Sequence, residues 1–547
     1  MSRSQLRLLA LLAVCTVCLM SSSLLVVAYN ASLFSRRVSV VRQVSPDRNL
    51  SVSNVLMNPS FETVSLATRF LHTEDEHFWM KRFAVDWEPI LNPYTVDDEV
   101  AMCGERSVRV SSGFKEDKFS LTQALFLDDA IDAAVFNLRV WVRAKAITGV
   151  LNDGFAAQAD FHFRNGTHSY GNAIQIAVGT YDWQPFARSW SLHGETPLSH
   201  VMIFISHADR TGDVWFDCAY AAFSATPLFG AGVPLKRFIR HTCCERREVL
   251  LPAVPVPRQS ISLVAQLTVD RLPALERMAS AWRGPVTAAV YVLRDANRAQ
   301  LIAAVRASAT LQQFVTFVLV WADGGPWAFE TLGLYPINTL RNVAVNVTQS
   351  EFGLFLDVDF VVSATADEAW RAFRAAGFGE RARRRRCAFI VPAFEWVNGP
   401  STLPSTKAGL VDAVDDGVLQ QVHAKKYALA HNAINYTRWL ATDAAYAIRY
   451  QHEFEPYFVA RIAGLPPWDE RFVGYGYDKV VHVLTLAVME FEMLVQPSLF
   501  IVHYDHKIAK WSSASSMLRL RVYQNYYTAL QELRHRLGVH AFQRNIV

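Results

Sequence analysis

The stretch Glu351–Ser363, EFGLFLDVDFVVS, decides how the C-terminal half of this chain is read. Gly353 to Leu356 is a short apolar run of strand character, and Asp357 and Asp359 follow it with one residue between them. In extended backbone alternate side chains share a side, so both carboxylates are expected to point the same way. An isolated pair of this kind is as often a turn or a charged surface as a site. The setting tips the balance, because the end of a buried strand in an α/β sheet is where Mg²⁺ or Mn²⁺ and a diphosphate are expected to bind. Two carboxylates hold a hard cation while leaving positions for phosphate oxygens, and such a cation neutralises the charge that builds on a departing diphosphate.

The residues before this stretch supply the sheet. SISLVAQLTVD from Ser260 reads as a buried strand, RLPALERMASAWRG as an amphipathic helix, VTAAVYVL as a second strand, Ala296–Leu311 as a helix and FVTFVLVWAD as a third strand. Strands alternating with helices imply a largely parallel, Rossmann-like sheet with ligand sites at the strand C-termini. Residues 259–547 are expected to form this domain.

Further upstream the rhythm changes. Between Val55 and about Thr226, short β-rich runs such as RSVRVSS, FNLRVWVRAKA, AAQADFHF, SHVMIFISHA and DVWFDCAYAAF are separated by Gly, Asn and Asp turns, which implies a β-sandwich over residues 53–228. Trp79, Trp87, Trp141, Trp183, Trp190 and Trp215 are expected mainly in its core, with one or two left for sugar stacking. The Pro-rich, charged stretch around CCERREVLLPAVPVPRQS marks residues 229–258 as a linker.

The N-terminus places the protein. Leu8–Tyr29 has no charged side chain, Arg3 and Arg7 precede it, and Arg36 and Arg37 follow. About 20 apolar residues span a bilayer as a helix, so residues 1–7 read as a cytoplasmic tail, 8–29 as a transmembrane signal anchor and 30–52 as a stem. A cleaved signal peptide is the other reading of the same segment. Sequons at Asn30, Asn49, Asn165, Asn346 and Asn435 have meaning only for a translocated chain. Cys103, Cys218, Cys243, Cys244 and Cys387 would then lie where disulfides are permitted, and their odd number means at least one unpaired thiol or an intermolecular bridge. The net charge of +4, from 54 basic and 50 acidic side chains, excludes the basic footprint of a dedicated nucleic-acid binder. The run Arg381–Arg386 could bind phosphate or an acidic partner, but reads first as a solvated loop or processing site.

Two resemblances sharpen this. NPSFET at Asn58–Thr63, Trp87, CGERSVRVSS from Cys103, FNLRVWVRA and VWFDCAYAAF resemble the jelly-roll carbohydrate-binding modules. That scaffold allows a Cys103–Cys218 bridge, and a module of this kind would raise the acceptor's effective concentration at a nearby active site. In the C-terminal half, the DVD segment is followed by FIVPAFEW, HNAINYTRW (His431–Trp439), EFEPYFVA (Glu453–Ala460), PPWDERFVGYGYDKVVHV (Pro466–Val483) and LFIVHYDHKIAKW (Leu499–Trp511). Their order and intervals, over about residues 258–515, resemble glycosyltransferase family 49, the group that includes a β-1,4-glucuronyltransferase and the second catalytic domain of the LARGE glycosyltransferases.

The resemblance implies a GT-A fold, a UDP-sugar donor and inversion. It makes Asp357 and Asp359 the metal pair, with a late histidine, His503 first and His506 second, completing the site. Imidazole suits Mn²⁺ better than Mg²⁺. Lys507 and Lys510 become diphosphate partners. A base must deprotonate the acceptor hydroxyl, and Asp478, Asp469, Glu470 and Glu395 are the candidates, Asp478 first; local capping or ion pairing is the competing role for each. Arg471 and Lys479 stand as contacts to an acidic sugar or phosphate, or as surface pairs. The chain is thus expected to be a Golgi type II membrane protein transferring a sugar, glucuronic acid foremost, to a glycan or glycoprotein. A glycan-binding membrane protein with an inactive transferase domain, or a glycoside hydrolase working through two carboxylates, are the other readings.

Overall fold

The computed structural model describes residues 94–537 apart from 114–117, 128–133, 150–153, 193–196, 236–245, 323–333, 426 and 506–515, together with residues 56, 64–69, 79–84 and 88–89. The expected tail, anchor and stem, and Trp87, Cys243, Cys244, His506, Lys507 and Lys510, lie outside the described residues. Among those described, no helix is long and apolar enough to cross a membrane. The chain divides into two compact units, Met1–Phe238 and Ile239–Val547.

The N-terminal unit is β-rich. Its larger sheet has six strands in the order Val233–Pro234, Gly179–Ser191, Val135–Thr148, Thr211–Ser224, Ser107–Ser112 and Thr95–Asp97; a second has five, in the order Glu88–Pro89, Lys118–Phe126, Leu198–Ala208, Phe155–Phe163 and His168–Gln175. Alternate residues of both sheets, among them Val108, Val110, Leu138, Val140, Phe161, Val201, Ile203 and Phe216, meet in one core, as a two-sheet sandwich requires. Trp190 is buried in it, whereas Trp215, between the core residues Val214 and Phe216, is buried on the other face of its sheet, donating to Asp97 Oδ2 at 2.7 Å. Cys103 and Cys218 are bridged, and Asp217 accepts from the Met102 and Cys103 amides beside the bridge.

Strands of the C-terminal unit are numbered β1 (Arg247–Leu250), β2 (Ile261–Thr268), β3 (Val286–Val292), β4 (Val315–Trp321), β5 (Phe352–Phe355), β6 (Phe360–Val362), β7 (Cys387–Val391), β8 (Ala393–Trp396), β9 (Leu419–Gln421), β10 (Tyr446–Ile448), β11 (Tyr457–Arg461), β12 (Glu492–Val495) and β13 (Ile501–His503). The helices that matter here are α1 (Leu272–Trp282), α2 (Asp295–Ala307), α3 (Ile337–Val347), α4 (Asp478–Val488) and α5 (Ser516–Leu537).

The main sheet has nine strands in the order β1-β4-β3-β2-β5-β11-β7-β12-β10. β2, β3, β4 and β5 are parallel, and β11 runs against both β5 and β7. The sheet is therefore mixed rather than largely parallel. Part of the Pro-rich stretch also belongs to it, because β1 pairs with β4 and Glu248 takes two bonds of 2.7 Å from Arg298.

Side-chain alternation along β2 explains the layering. Ile261, Leu263, Ala265 and Leu267 face one core with Leu275, Met278 and Trp282 of α1, whose spacing of three to four residues forms an apolar stripe. Val264 faces the other core, with Leu340 of α3 and Val483 and Leu484 of α4. Burial of each such side chain contributes about 1.5–3 kcal/mol. After β4 the chain returns through α3 and sets β5 on the far side of β2, so the strand order reverses between β2 and β5. Ligands of open α/β sheets bind at such a reversal.

Candidate metal and transfer site

The acidic pair sits at that reversal. β5 is buried throughout and held by β2 through Ile261↔Phe352 and by β11 through Phe355↔Phe458. Immediately after it the chain leaves the main sheet for a second, four-stranded one of order β6-β13-β8-β9. Extended backbone does not continue through Asp359: Val358 and Asp359 form a turn, closed by the Phe360 amide donating to the Asp357 carbonyl at 3.2 Å. The change of sheet demands that turn, and it gives the two carboxylates different neighbours.

Asp359 goes with the small sheet. Its carbonyl accepts from the Tyr504 amide at 2.9 Å, Phe360 pairs with His503, and the Asp359 Oδ2 lies 3.8 Å from His503 Nε2. Two ligand atoms at that separation fit one shared cation. β8 runs parallel to β13 with Glu395 opposite His503, and Gln420 of β9 donates to Glu395 Oε1 at 2.8 Å. Sheet register thus brings together Asp359, His503 and Glu395, which lie up to 144 positions apart in sequence.

Asp357 turns toward the main sheet. Its Oδ2 accepts from Tyr457 Oη and Lys479 Nζ, each at 3.1 Å, and its Oδ1 from Arg341 Nη2 at 3.3 Å. Burial works against its charge, but Lys479 and Arg341 outweigh burial and hold the carboxyl below its ordinary value. Lys479 is likewise held well above the usual lysine range, burial being overcome by Asp357, Tyr457 and Glu455.

Arg341 explains the placement of Asp478. Rising from α3 with 8% of its surface exposed, it donates to Asp478 and, at 2.9 Å, to Asn338 Oδ1, and lies 4.5 Å from the Trp468 ring centroid. Asp478, 7% exposed at the start of α4, is the inner partner of a buried ion pair. Asp469 is also engaged, its two oxygens taking Arg471 Nε at 2.9 and 3.0 Å, while Arg471 reaches Glu532 of α5 at 2.7 Å. Glu470 bonds Asn342 and Thr339 of α3. Of the candidate bases, Glu395 faces a neutral amide, whereas Asp478 and Asp469 each face an arginine.

Sequence reasoning missed Arg341, Tyr457 and Glu455. Glu455, in the EFEPYFVA stretch, lies 3.8 Å from Lys479, and burial pushes its carboxyl up to about 7 against the pull of that lysine. Nothing in local spacing marks Arg341, whose helix carries no motif; its one signal is an arginine on the apolar face of a helix, expected only where a carboxylate is buried with it.

Asp359 and His503 offer a carboxylate and an imidazole suited to a divalent cation of the Mn²⁺ or Mg²⁺ type, whereas Asp357, whose oxygens are taken by Arg341, Tyr457 and Lys479, does not close a group of three ligand atoms with them among the described residues. Comparison with known proteins bears on the same region. A family model described as "Glycosyl-transferase for dystroglycan" matches residues 327–537. The chain is 34% identical over 284 residues to xylosyl- and glucuronyltransferase LARGE2 of Rattus norvegicus, covering 51% of this chain and 39% of that protein. It is 32% identical over 248 residues to LARGE1 of Homo sapiens, covering 45% and 31%, and 29% identical over 255 residues to glycosyltransferase-like protein gnt14 of Dictyostelium discoideum, covering 47% and 38%. The matched stretch spans at most about two fifths of these relatives' lengths.

Proposed function

We propose that this chain, whose residues 327–537 belong to glycosyltransferase family 49, transfers a sugar from a UDP-sugar to a hydroxyl of a glycan or glycoprotein, with inversion, in a GT-A catalytic domain. The observation that carries the reading is the junction of Asp359 with His503 beyond the end of β5, with Asp357 two positions earlier in the chain. Asp359 and His503, with Asp357 beside them, would hold Mn²⁺ or Mg²⁺, which supplies charge neutralisation for the UDP leaving group. Lys507 and Lys510, just beyond β13, are assigned to the diphosphate. Glu395 is assigned as the base that takes the proton of the acceptor hydroxyl, because it lies across from His503 and, among the described residues, is bonded by the neutral Gln420 amide rather than by an arginine. Asp478 and Asp469 are assigned to holding α4 and α5.

Glucuronic acid is the proposed donor sugar, in keeping with the relatives' name. The N-terminal unit is read as a carbohydrate-binding-like module that keeps the acceptor near the site. The segment Leu8–Tyr29, the sequons and the Cys103–Cys218 bridge support a lumenal, Golgi, type II placement. The test is UDP release from a panel of UDP-sugars with and without Mn²⁺. Release that requires the ion and falls by at least about a hundredfold in Asp359→Ala is expected for a lost metal ligand; an inactive glycan-binding domain gives none, and a hydrolase works without nucleotide or metal.

A further inference from the structure

Beyond the metal pair, the chain builds a second feature at the same end of the sheet. Large aromatic side chains are rarely left in water, and among the described residues Tyr475, at 64%, and Tyr427, at 37%, are the aromatics that stand out as exposed. Both belong to one small assembly. Tyr475 is the tip of the loop Gly474–Tyr477, between two glycines with φ of 83° and 116°, a backbone only glycine adopts without strain. The loop is tied at both ends: the Gly474 amide donates to the Tyr335 carbonyl at 2.8 Å, and Tyr477 Oη donates to Glu453 at 3.1 Å. Tyr427 Oη donates to the other oxygen of the same buried glutamate. One carboxylate therefore fixes the loop that presents Tyr475 and the ring of Tyr427.

This assembly borders the transfer site. Tyr477 leads directly into α4, whose second residue, Lys479, is bonded to Asp357. The Tyr475 phenol is within electrostatic reach of Lys479, Glu455, Asp478 and Asp357. A pyranose has an apolar C–H face rimmed by hydroxyls, and an exposed tyrosine offers a flat apolar ring with a polar edge, so the two are complementary. A charged diphosphate has no such face. The mouth also holds Glu455 and Lys479, 3.8 Å apart, as acceptor and donor for sugar hydroxyls.

We propose that Tyr475 and Tyr427 form the acceptor platform, stacking a pyranose of the glycan that receives the transferred sugar. The assignment rests on the transferase reading, and the experiment separates the two. Full-length enzyme is assayed by UDP release from UDP-glucuronate with Mn²⁺, against a panel of methyl glycosides of common pentoses and hexoses as acceptors. Tyr475→Ala is expected to raise the acceptor KM about five- to tenfold, the value of one aromatic stacking contact, with kcat and the donor KM little changed. Tyr475→Phe and Tyr475→Trp, which keep the ring, are expected to restore the KM. Tyr427→Phe keeps the ring but loses its bond to Glu453, and serves to separate stacking from loop anchoring. An acceptor KM within twofold of wild type in Tyr475→Ala overturns the proposal, as does a fall in kcat with KM unmoved, or a wild type whose UDP release rises with no glycoside. If wild-type enzyme shows no Mn²⁺-dependent release from any UDP-sugar, the transferase reading itself has failed.

Discussion

Asp357 uses both carboxylate oxygens on protein partners, and the residue that links them to the rest of the site is Arg341. One guanidinium joins Asp357 to Asp478, residues 16 and 137 positions further along the chain. Removing it leaves the buried Asp478 without its cation and the half-buried Asp357 with Lys479 alone. Arg341→Met is therefore expected to cost about 3–5 kcal/mol, the usual penalty for breaking a buried ion pair from one side. Urea unfolding checks this, and adding Asp478→Asn to Arg341→Met is expected to return part of the loss; additive losses would show that the pair is not coupled. The same residues mark the limit of sequence reading. Asp357 and Asp359 stand out because they are adjacent to an apolar run, and Asp478 because it follows a glycine-rich loop. That Asp478 faces an arginine is set by the packing of α3 against α4, which local pattern does not encode.

At the scale of elements, α4 packs by a stack of rings. His482 is 1% exposed, with Trp468 parallel to it at 3.7 Å and Phe458 of β11 at 6.1 Å. Burial, with Arg341 nearby, pushes the imidazole down to about 3. An unfolded histidine titrates near 6.5. The contribution of His482 is thus complete above about pH 6.5 and is lost as pH falls toward 3, because only the unfolded chain takes up the proton in that window. At pH 5.5 the loss is about 1.4 kcal/mol. Denaturation at pH 7.5 and 5.5 should show this loss in wild type and its absence in His482→Phe; equal losses in both would contradict it.

Elements were partly legible for physical reasons. The β2–α1–β3–α2–β4 alternation could be read because each segment carries its own period, visible in the all-buried strands and the stripe of α1. The antiparallel insertion of β11 between β5 and β7 could not, since β11 is buried on both faces and so reads as the continuous apolar run of a parallel strand. The turn at Val358 and Asp359 was hidden in the same way. It is dictated by the passage to a second sheet, and without it Asp359 would not meet His503.

At the scale of the whole molecule, the two units differ in what holds them. The N-terminal sandwich has a bridge closing 115 residues between Cys103 and Cys218, while Cys387 of the C-terminal unit is a buried free thiol. Burial raises that thiol to about 11, so it is inert at neutral pH. Among the described residues the Cys103–Cys218 bridge is what reduction opens, and opening it should destabilise the sandwich by about 2–5 kcal/mol. Calorimetry with and without reductant is expected to lower one transition and leave another in place; two transitions shifting together would show that the units unfold as one.

The proposed function depends on one cation held by Asp359 and His503, with Asp357 beside them. Mn²⁺ titration followed by electron paramagnetic resonance tests it without any substrate or turnover. One Mn²⁺ per wild-type chain is expected, with affinity at least about tenfold weaker in Asp359→Ala and in His503→Ala. Equal Mn²⁺ affinity in wild type and both variants would contradict the account.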